Sequence, residues 1–191
     1  QEAADLAPGT VVDDGRAELF KSFQLVIIGP GGTGKTAVLK VTEALTLFFA
    51  GAETVQKLAP SNAAARLLGG DTLHALCKLP FGQHTLTSKK GRLQNHKLQN
   101  LRKKWNRIIA AYIDEISMVP ANQFLQCDTR IRQAKKNNED LFGGICINVC
   151  GDHLQLPPVD KDGTRKSLAK PLDDVGDEVE EILAGRDPKK G

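Results

Sequence analysis

Four short apolar runs alternate with segments of helical spacing along the chain. The runs predict strands at residues 24–28, 54–59, 108–113 and 145–150. Because the Val and Ile content of the first run is unbroken, it suits a strand of a parallel sheet that is buried on both faces. Strands that alternate with helices indicate βαβ units. The pattern therefore predicts an α/β domain, a mostly parallel sheet with helices on both faces.

Helices are predicted at 36–49, 63–68, 73–77, 97–107 and 120–135. The first of these has the apolar spacing of a packed helix, and the fourth is amphipathic with a positive outer face. Outside the alternating pattern we expect a loose leader at 1–19, with a short helix near its end, and a poorly ordered or truncated charged tail at 160–191. The domain itself is expected at 20–159.

The 191 residues include 26 basic and 23 acidic side chains, a net charge of +3 that does not by itself indicate nucleic-acid binding. The chain has no apolar stretch of membrane-spanning length and no signal-peptide pattern. Its four cysteines, Cys77, Cys127, Cys146 and Cys150, form no metal-binding or disulfide pattern. We therefore expect no membrane partner and an intracellular protein, nuclear if the source is eukaryotic.

The chemistry begins where the first predicted strand ends. Residues 29–36 read Gly-Pro-Gly-Gly-Thr-Gly-Lys-Thr and match the phosphate-binding pattern G-x-x-x-x-G-K-[ST]. In such a loop backbone N–H groups surround the phosphates of a nucleotide, the lysine reaches the outer phosphates, and the last hydroxyl binds Mg²⁺. The expected nucleotide-binding residues are Gly29, Gly31, Gly32, Thr33, Gly34, Lys35 and Thr36.

An acidic pair follows the third predicted strand. Asp114 occupies the position at which P-loop enzymes hold Mg²⁺ with a strand-end carboxylate. Glu115, beside it, can orient and deprotonate the water that attacks the γ-phosphate. The alternative is a surface Asp-Glu pair that only ends a strand, but the upstream P-loop favours the catalytic interpretation.

Three further features leave alternatives open. Gln155 follows the fourth strand and could contact the γ-phosphate or belong to a polar turn, while His153 fits a surface turn. His74 could contact a nucleic-acid backbone or end a short helix. The basic stretch 88–107 could neutralise nucleic-acid phosphates or form a solvated face, and Trp105 fits the core better than a base-stacking role.

Taken in order, the motifs resemble those of superfamily 1B DNA helicases of the petite-integration-frequency/RecD kind, and motif I resembles that of Helitron-type transposon helicases. The segments that carry the resemblance are 23–36, 59–65, 70–74, Asp-Glu-Ile-Ser-Met-Val at 114–119, and Gly-Asp-His-Leu-Gln-Leu-Pro-Pro-Val at 151–159. The resemblance implies a RecA-like P-loop NTPase domain, the first motor lobe (1A) of a 5′-to-3′ helicase. Cellular members of this family serve in DNA repair, recombination and telomere maintenance.

The resemblance also implies roles for individual residues and their ligands. ATP and Mg²⁺ would be the cofactors, with Mg²⁺ held by Thr36 and Asp114. The catalytic residues would be Lys35, Glu115 as general base, and Gln155 as γ-phosphate sensor. Single-stranded DNA would be the partner, bound along Pro60, Ser61, Asn62, Thr72 and His74.

Some positions depart from the family pattern. No glutamine lies in 10–22, where these helicases usually carry an adenine-reading motif, and Ser61-Asn62 replaces the usual Thr-Gly. After Val159 nothing resembles the motifs of the second motor lobe. We therefore expect weak nucleotide and DNA binding, slow ATP hydrolysis and no robust unwinding by these residues alone. The alternatives are a non-catalytic nucleotide- or DNA-binding remnant of a transposon helicase, or an unrelated P-loop kinase.

Overall fold

A five-stranded, all-parallel sheet forms the centre of the protein. The computed structural model describes residues 24–80, 86, 88 and 91–152. The strands are β1 (Leu25–Ile28), β2 (Val55–Ala59), β3 (Asp71–Thr72), β4 (Ala110–Ile113) and β5 (Cys146–Gly151). Their order across the sheet is β1-β5-β4-β2-β3. Because every pair is parallel, all carboxyl ends lie along one edge of the sheet.

Five α-helices connect these strands. They are α1 (Lys35–Ala50), α2 (Asn62–Leu68), α3 (Leu73–Cys77), α4 (Asn95–Trp105) and α5 (Ala121–Lys135), and short 3₁₀ helices occur at Ile116–Met118 and Leu141–Gly144. Ser61 caps α2 and Thr72 caps α3, each by accepting a hydrogen bond from the backbone N–H three residues later. Capping of this kind satisfies one of the unpaired N–H groups of a helix start.

The helices cover both faces of the sheet, as the sequence pattern predicts. On one face, side chains of α3, α4 and α5 pack against β2, β4 and β5, and Trp105 is fully buried there. On the other face, Leu39 of α1 and Leu68 of α2 pack with Tyr112 of β4. The core interpretation of Trp105 is confirmed.

The prediction that β1 is buried on both faces is wrong. β1 is the edge strand of the described sheet, and alternate residues face outward, with Val26 59% and Ile28 55% exposed. The helix that follows is also less buried than its apolar spacing predicts. Only Leu39 and Thr46 of α1 are buried, whereas Phe48 is 81% exposed. An apolar run predicts a strand, but the number of faces it buries depends on its place in the sheet.

Other sequence predictions hold with small shifts of the boundaries. The four predicted strands are present, and the structure adds β3, which sequence reasoning assigned only to a helix cap. None of the four cysteines forms a disulfide, and all four are buried. The leader, half of the 80–95 loop and the tail lie outside the described residues. Of the helices in the described part of the chain, none combines the length and apolarity needed to cross a membrane.

Candidate functional site: a nucleotide site at the carboxyl edge of the sheet

The predicted phosphate loop lies where two strands end side by side. Ile28 of β1 pairs with Gly151 of β5, and the N–H of Gly29 donates to the carbonyl of Gly151 at 3.3 Å. The loop therefore leaves the sheet at its carboxyl edge, where α/β proteins bind their ligands. It is exposed from Gly31 to Gly34, so its backbone N–H groups are accessible.

The loop runs into α1 in the manner that phosphate binding requires. Gly34, in the left-handed region at φ 86°, precedes the first helical residue, and its carbonyl accepts from Ala37 and Val38. Because Gly34 has no capping side chain, the first N–H groups of α1 are available to an anion. The ammonium of Lys35 lies on the loop, where it donates to the carbonyls of Gly29 at 2.7 Å and Pro30 at 2.8 Å.

The structure brings Thr36 and Asp114 together although 78 residues separate them. Thr36 Oγ1 donates to Oδ2 of Asp114 at 3.3 Å. Asp114 follows β4, and its own N–H donates to the carbonyl of Leu58 on β2. The hydroxyl comes from the start of α1 and the carboxylate from a central strand, so the contact depends on the assembled sheet.

Glu115 is placed beside these groups by an uncommon backbone conformation. Its φ of 56° and ψ of 44° lie in the left-handed region, and the 3₁₀ helix begins directly after it. Burial and then the charge of Asp114 raise the pKa of Glu115, Lys35 opposes this shift, and Asp152 adds to it. A carboxyl with a raised pKa accepts a proton more readily, which suits a general base.

Cys150 is a site residue that sequence reasoning missed, and Gly151 was recognised only as the start of a motif, without a role of its own. The thiol of Cys150 donates to Oδ1 of Asp114 at 2.8 Å. Burial and then this hydrogen bond raise the pKa of Cys150 to about 12. A Cβ on Gly151 would lie 2.7 Å from Cγ2 of Ile116, so β5 approaches the segment after Glu115 very closely. The signal available in the sequence was the position of both residues at the end of the strand that precedes Asp152.

The five residues expected along DNA meet at one corner of the same edge. β2 and β3 are neighbours, with Ala59 opposite Thr72, so Pro60, Ser61 and Asn62 leave the sheet beside Thr72 and His74. Ser61 and Thr72 serve as helix caps here, and His74 Nδ1 is 3.1 Å from Gln123 Nε2 of α5. Asn62 is exposed and the other four residues are half-buried, so part of this corner is accessible to a ligand.

Part of the basic stretch has structural partners. Lys104 pairs with Asp71 at 3.6 Å, and Arg107 pairs with Glu53 at 3.1 Å. Arg102 donates to the carbonyl of Gln133 on α5. Lys89 and Lys90 lie outside the described residues, as do His153 and Gln155, so the roles suggested for them stay predictions.

The oxygen donors at this edge fit a magnesium ion. A hydroxyl and a carboxylate oxygen 3.3 Å apart, beside a loop for phosphates, are the hard ligands that Mg²⁺ prefers, and Mg²⁺ usually takes only one or two protein ligands. Within the described ranges no group of three or more His, Cys, Asp or Glu side chains is placed to hold a metal on its own. The arrangement therefore suits a metal that arrives with the nucleotide.

A glycine-rich phosphate loop between β1 and α1, joined to a strand-end aspartate, defines a P-loop nucleotide-binding domain. The model of the PIF1-like helicase family matches residues 11–172, and the chain belongs to this family. Similarity to individual proteins agrees with this assignment. The ATP-dependent DNA helicase PIF1 of Saccharomyces cerevisiae is 35% identical over 140 residues, which cover 72% of this chain and 16% of that protein.

Human and bacterial relatives show the same partial match. The human ATP-dependent DNA helicase PIF1 is 35% identical over 143 residues, 75% of this chain and 21% of the relative. Among solved structures, the Pif1 helicase from Bacteroides in complex with ADP-AlF3 and ssDNA has 30% identity and a TM-score of 0.63, over 83% of this chain and 33% of that one. The chain thus spans 16 to 21% of these curated relatives' length.

Proposed function

We propose that this chain forms the first motor lobe of an ATP-dependent 5′-to-3′ DNA helicase and supplies one half of its nucleotide site. The observation that carries the proposal is the contact between Thr36 and Asp114 at 3.3 Å. This contact joins the phosphate loop to the strand-end carboxylate. If the motif served only as a turn, the fold would not require these two side chains to meet.

Each residue of the site has a task that follows from its position. The N–H groups of the loop and of the start of α1 hold the phosphates, and Lys35 exchanges its two backbone carbonyls for phosphate oxygens. Glu115, half-buried at the edge and with a pKa raised first by burial, orients the attacking water and takes its proton. Gln155 would follow β5 toward the same edge and sense the γ-phosphate.

Thr36 and Asp114 are the residues that would hold Mg²⁺. When bound, the ion would neutralise charge on the β- and γ-phosphates during phosphoryl transfer. The positions of Thr36 and Asp114 would determine where the ion binds, because Thr36 belongs to α1 and Asp114 follows β4 in the centre of the sheet.

Single-stranded DNA is the proposed second ligand. The corner formed by Pro60, Ser61, Asn62, Thr72 and His74 lies at the carboxyl edge, on β2 and β3, while the phosphate loop follows β1 at the opposite end of the strand order. DNA at that corner would therefore not compete with nucleotide for space. Roles in DNA repair, recombination or telomere maintenance, and a nuclear location in a eukaryote, follow from the family resemblance and belong to the same proposal.

These 191 residues alone are expected to bind nucleotide weakly and to hydrolyse it slowly. Helicases of this class act with two lobes around one nucleotide, and an arginine from across the cleft is worth about 10³–10⁵ in rate in P-loop enzymes. Robust unwinding by this chain without other protein would contradict that expectation.

The proposal is tested by separating binding from turnover. The affinity for a fluorescent ATP analogue and the rate of ATP hydrolysis, with and without single-stranded DNA, are measured for the wild type, Lys35→Ala and Glu115→Gln. We expect Lys35→Ala to weaken binding and Glu115→Gln to abolish turnover while it preserves binding. Thr54→Ala is a control, since Thr54 lies directly before β2, at the opposite edge of the sheet, and its hydroxyl donates to the carbonyl of Gly51 at 2.7 Å.

Two results would contradict the proposal. If the wild type binds no nucleotide, the P-loop assignment is wrong. If it binds nucleotide but Glu115→Gln hydrolyses ATP at the wild-type rate, the chain is a binding module or Glu115 is not the base.

A further inference from the structure

A buried thiol touches the carboxylate that is proposed to hold Mg²⁺. β4 and β5 are parallel, with Ile113 opposite Val149, so the next residues in register are Asp114 and Cys150. Cys150 is fully buried, and its Sγ lies 2.8 Å from Oδ1 of Asp114. None of the roles proposed above for the nucleotide site uses this thiol or its hydrogen bond.

The two oxygens of Asp114 have different surroundings. Oδ1 accepts from the N–H of Glu115 at 2.8 Å and from the thiol of Cys150 at 2.8 Å. Oδ2 accepts from the hydroxyl of Thr36 at 3.3 Å. One oxygen is thus held by the sheet and its edge, and the other faces the phosphate loop.

This difference matters because the terminal torsion of an aspartate is broad and nearly two-fold, so its oxygens can exchange places unless something holds them. The backbone N–H of Glu115 alone is one donor at one end of the carboxylate. A second donor on the same oxygen, from the neighbouring strand, fixes the plane of the group. At its ordinary pKa a cysteine thiol is protonated at neutral pH and can supply that donor.

We propose that Cys150 is a positioning residue: its thiol holds Oδ1 of Asp114, so that Oδ2 is presented with Thr36 to the metal of a bound metal–nucleotide complex. The proposal rests on the proposed function and adds to it a reason for a cysteine at the end of β5. It distinguishes Cys150 from an ordinary buried cysteine, which would contribute only packing.

Cys146 provides the matched control, since its Sγ accepts a hydrogen bond from Nδ2 of Asn148 on its own strand at 3.4 Å. It lies on the same strand and belongs to the same core cluster as Cys150, but at the start of β5, away from the carboxyl edge. Replacing either thiol with alanine removes one buried sulfur. Only the Cys150 substitution removes a donor from Asp114.

The experiment measures nucleotide affinity with and without metal. Fluorescent ADP is titrated into the full chain in excess EDTA and again at increasing MgCl₂, for the wild type, Cys150→Ser, Cys150→Ala, Cys150→Val and Cys146→Ala. Loss of an outer partner of a metal ligand typically weakens metal affinity about 10–100-fold. We expect a weakening of that order in the Mg²⁺ concentration at half-effect for Cys150→Ala and Cys150→Val, with unchanged affinity in EDTA.

Cys150→Ser keeps a donor and should restore Mg²⁺ dependence, while Cys146→Ala should behave as the wild type. Cys150→Val leaves no cavity, although valine is somewhat larger than cysteine, so the Ser and Val pair decides the matter if the alanine variant does not fold. The inference is overturned if the Cys150→Ser and Cys150→Val variants require the same Mg²⁺ concentration, or if Cys146→Ala shifts that concentration equally.

If the wild type binds nucleotide but shows no Mg²⁺ dependence, this inference fails while nucleotide binding stands. If it binds no nucleotide, the proposed function fails as well.

Discussion

Gly151 is the position at which the smallest added group should disturb the site most. It lies in the regular part of β5, so its missing side chain matters for space rather than for backbone freedom. A Cβ there would be 2.7 Å from Cγ2 of Ile116, 3.1 Å from the backbone N of Ser117 and 3.2 Å from the backbone N of Ile116. Two of the three neighbours are main-chain atoms of the 3₁₀ helix that follows Glu115.

The size of the effect of Gly151→Ala follows from these distances. To restore an ordinary contact of 3.4 Å, the methyl group of Ile116 must retreat by about 0.7 Å, and the backbone of Ser117 by about 0.3 Å. Added methyl groups in well-packed regions cost about 1–3 kcal/mol. Because Ile116 is itself buried, we expect the free energy of unfolding to fall by about 2 kcal/mol.

Chemical denaturation measures this loss, and hydrogen exchange locates it. The N–H groups of Met118 and Val119 close the 3₁₀ turn on Glu115 and Ile116, and they should exchange faster in Gly151→Ala. Gly51→Ala is the control, because Gly51 ends α1 at φ 88° with no atom within 4 Å of the added Cβ. With φ 88° and ψ 172°, this position should lose about 1–3 kcal/mol through backbone strain in the alanine variant but leave the exchange at Met118 and Val119 unchanged. Wild-type stability and exchange in Gly151→Ala would refute the reasoning.

Two further predictions concern stability away from the site. Tyr112 and Thr46 share a buried hydrogen bond of 2.7 Å, and Tyr112 is its donor because the hydroxyl of Thr46 donates to the carbonyl of Thr42. Tyr112→Phe removes this bond and should lower the free energy of unfolding by about 0.5–1.5 kcal/mol. Denaturant titrations measure the loss, and an unchanged midpoint would contradict the prediction. Burial lowers the pKa of Lys135 from 10.5 in the folded protein. Between the lowered value and 10.5, Lys135 binds a proton in the unfolded chain but not in the folded one. Its contribution to the free energy of unfolding therefore rises with pH across this window. The difference in unfolding free energy between the wild type and Lys135→Met should therefore grow in the wild type's favour across that alkaline window, and a difference independent of pH would show that burial does not perturb Lys135.

The sequence predicts the local elements and the place of the phosphate loop well because both depend on short-range patterns. The P-loop residues are contiguous, and the apolar runs before them and before Asp114 mark strands whose carboxyl ends must share an edge in a parallel sheet. The proximity of Thr36 and Asp114 follows from that rule. Side-chain periodicity also placed Trp105 in the core.

The order of the strands could not be predicted, because it depends on pairing between distant segments. Val26 and Ile28 have the composition of central-strand residues, yet β1 is at the edge of the described sheet. The contact of Cys150 with Asp114 depends on the register between β4 and β5 as well as on their order. A one-residue slip would turn the thiol to the opposite face, and nothing in the local sequence states the register.

The left-handed backbone of Glu115 has a consequence for how this protein can be improved. A residue with a Cβ pays about 1–2 kcal/mol for this conformation, and glycine does not. Replacing Glu115 with glycine should therefore release strain and raise the melting temperature while it removes the carboxylate at the nucleotide. A library selected only for thermal stability would favour variants without that carboxylate. Directed evolution of this chain would need a nucleotide-dependent selection from its first round.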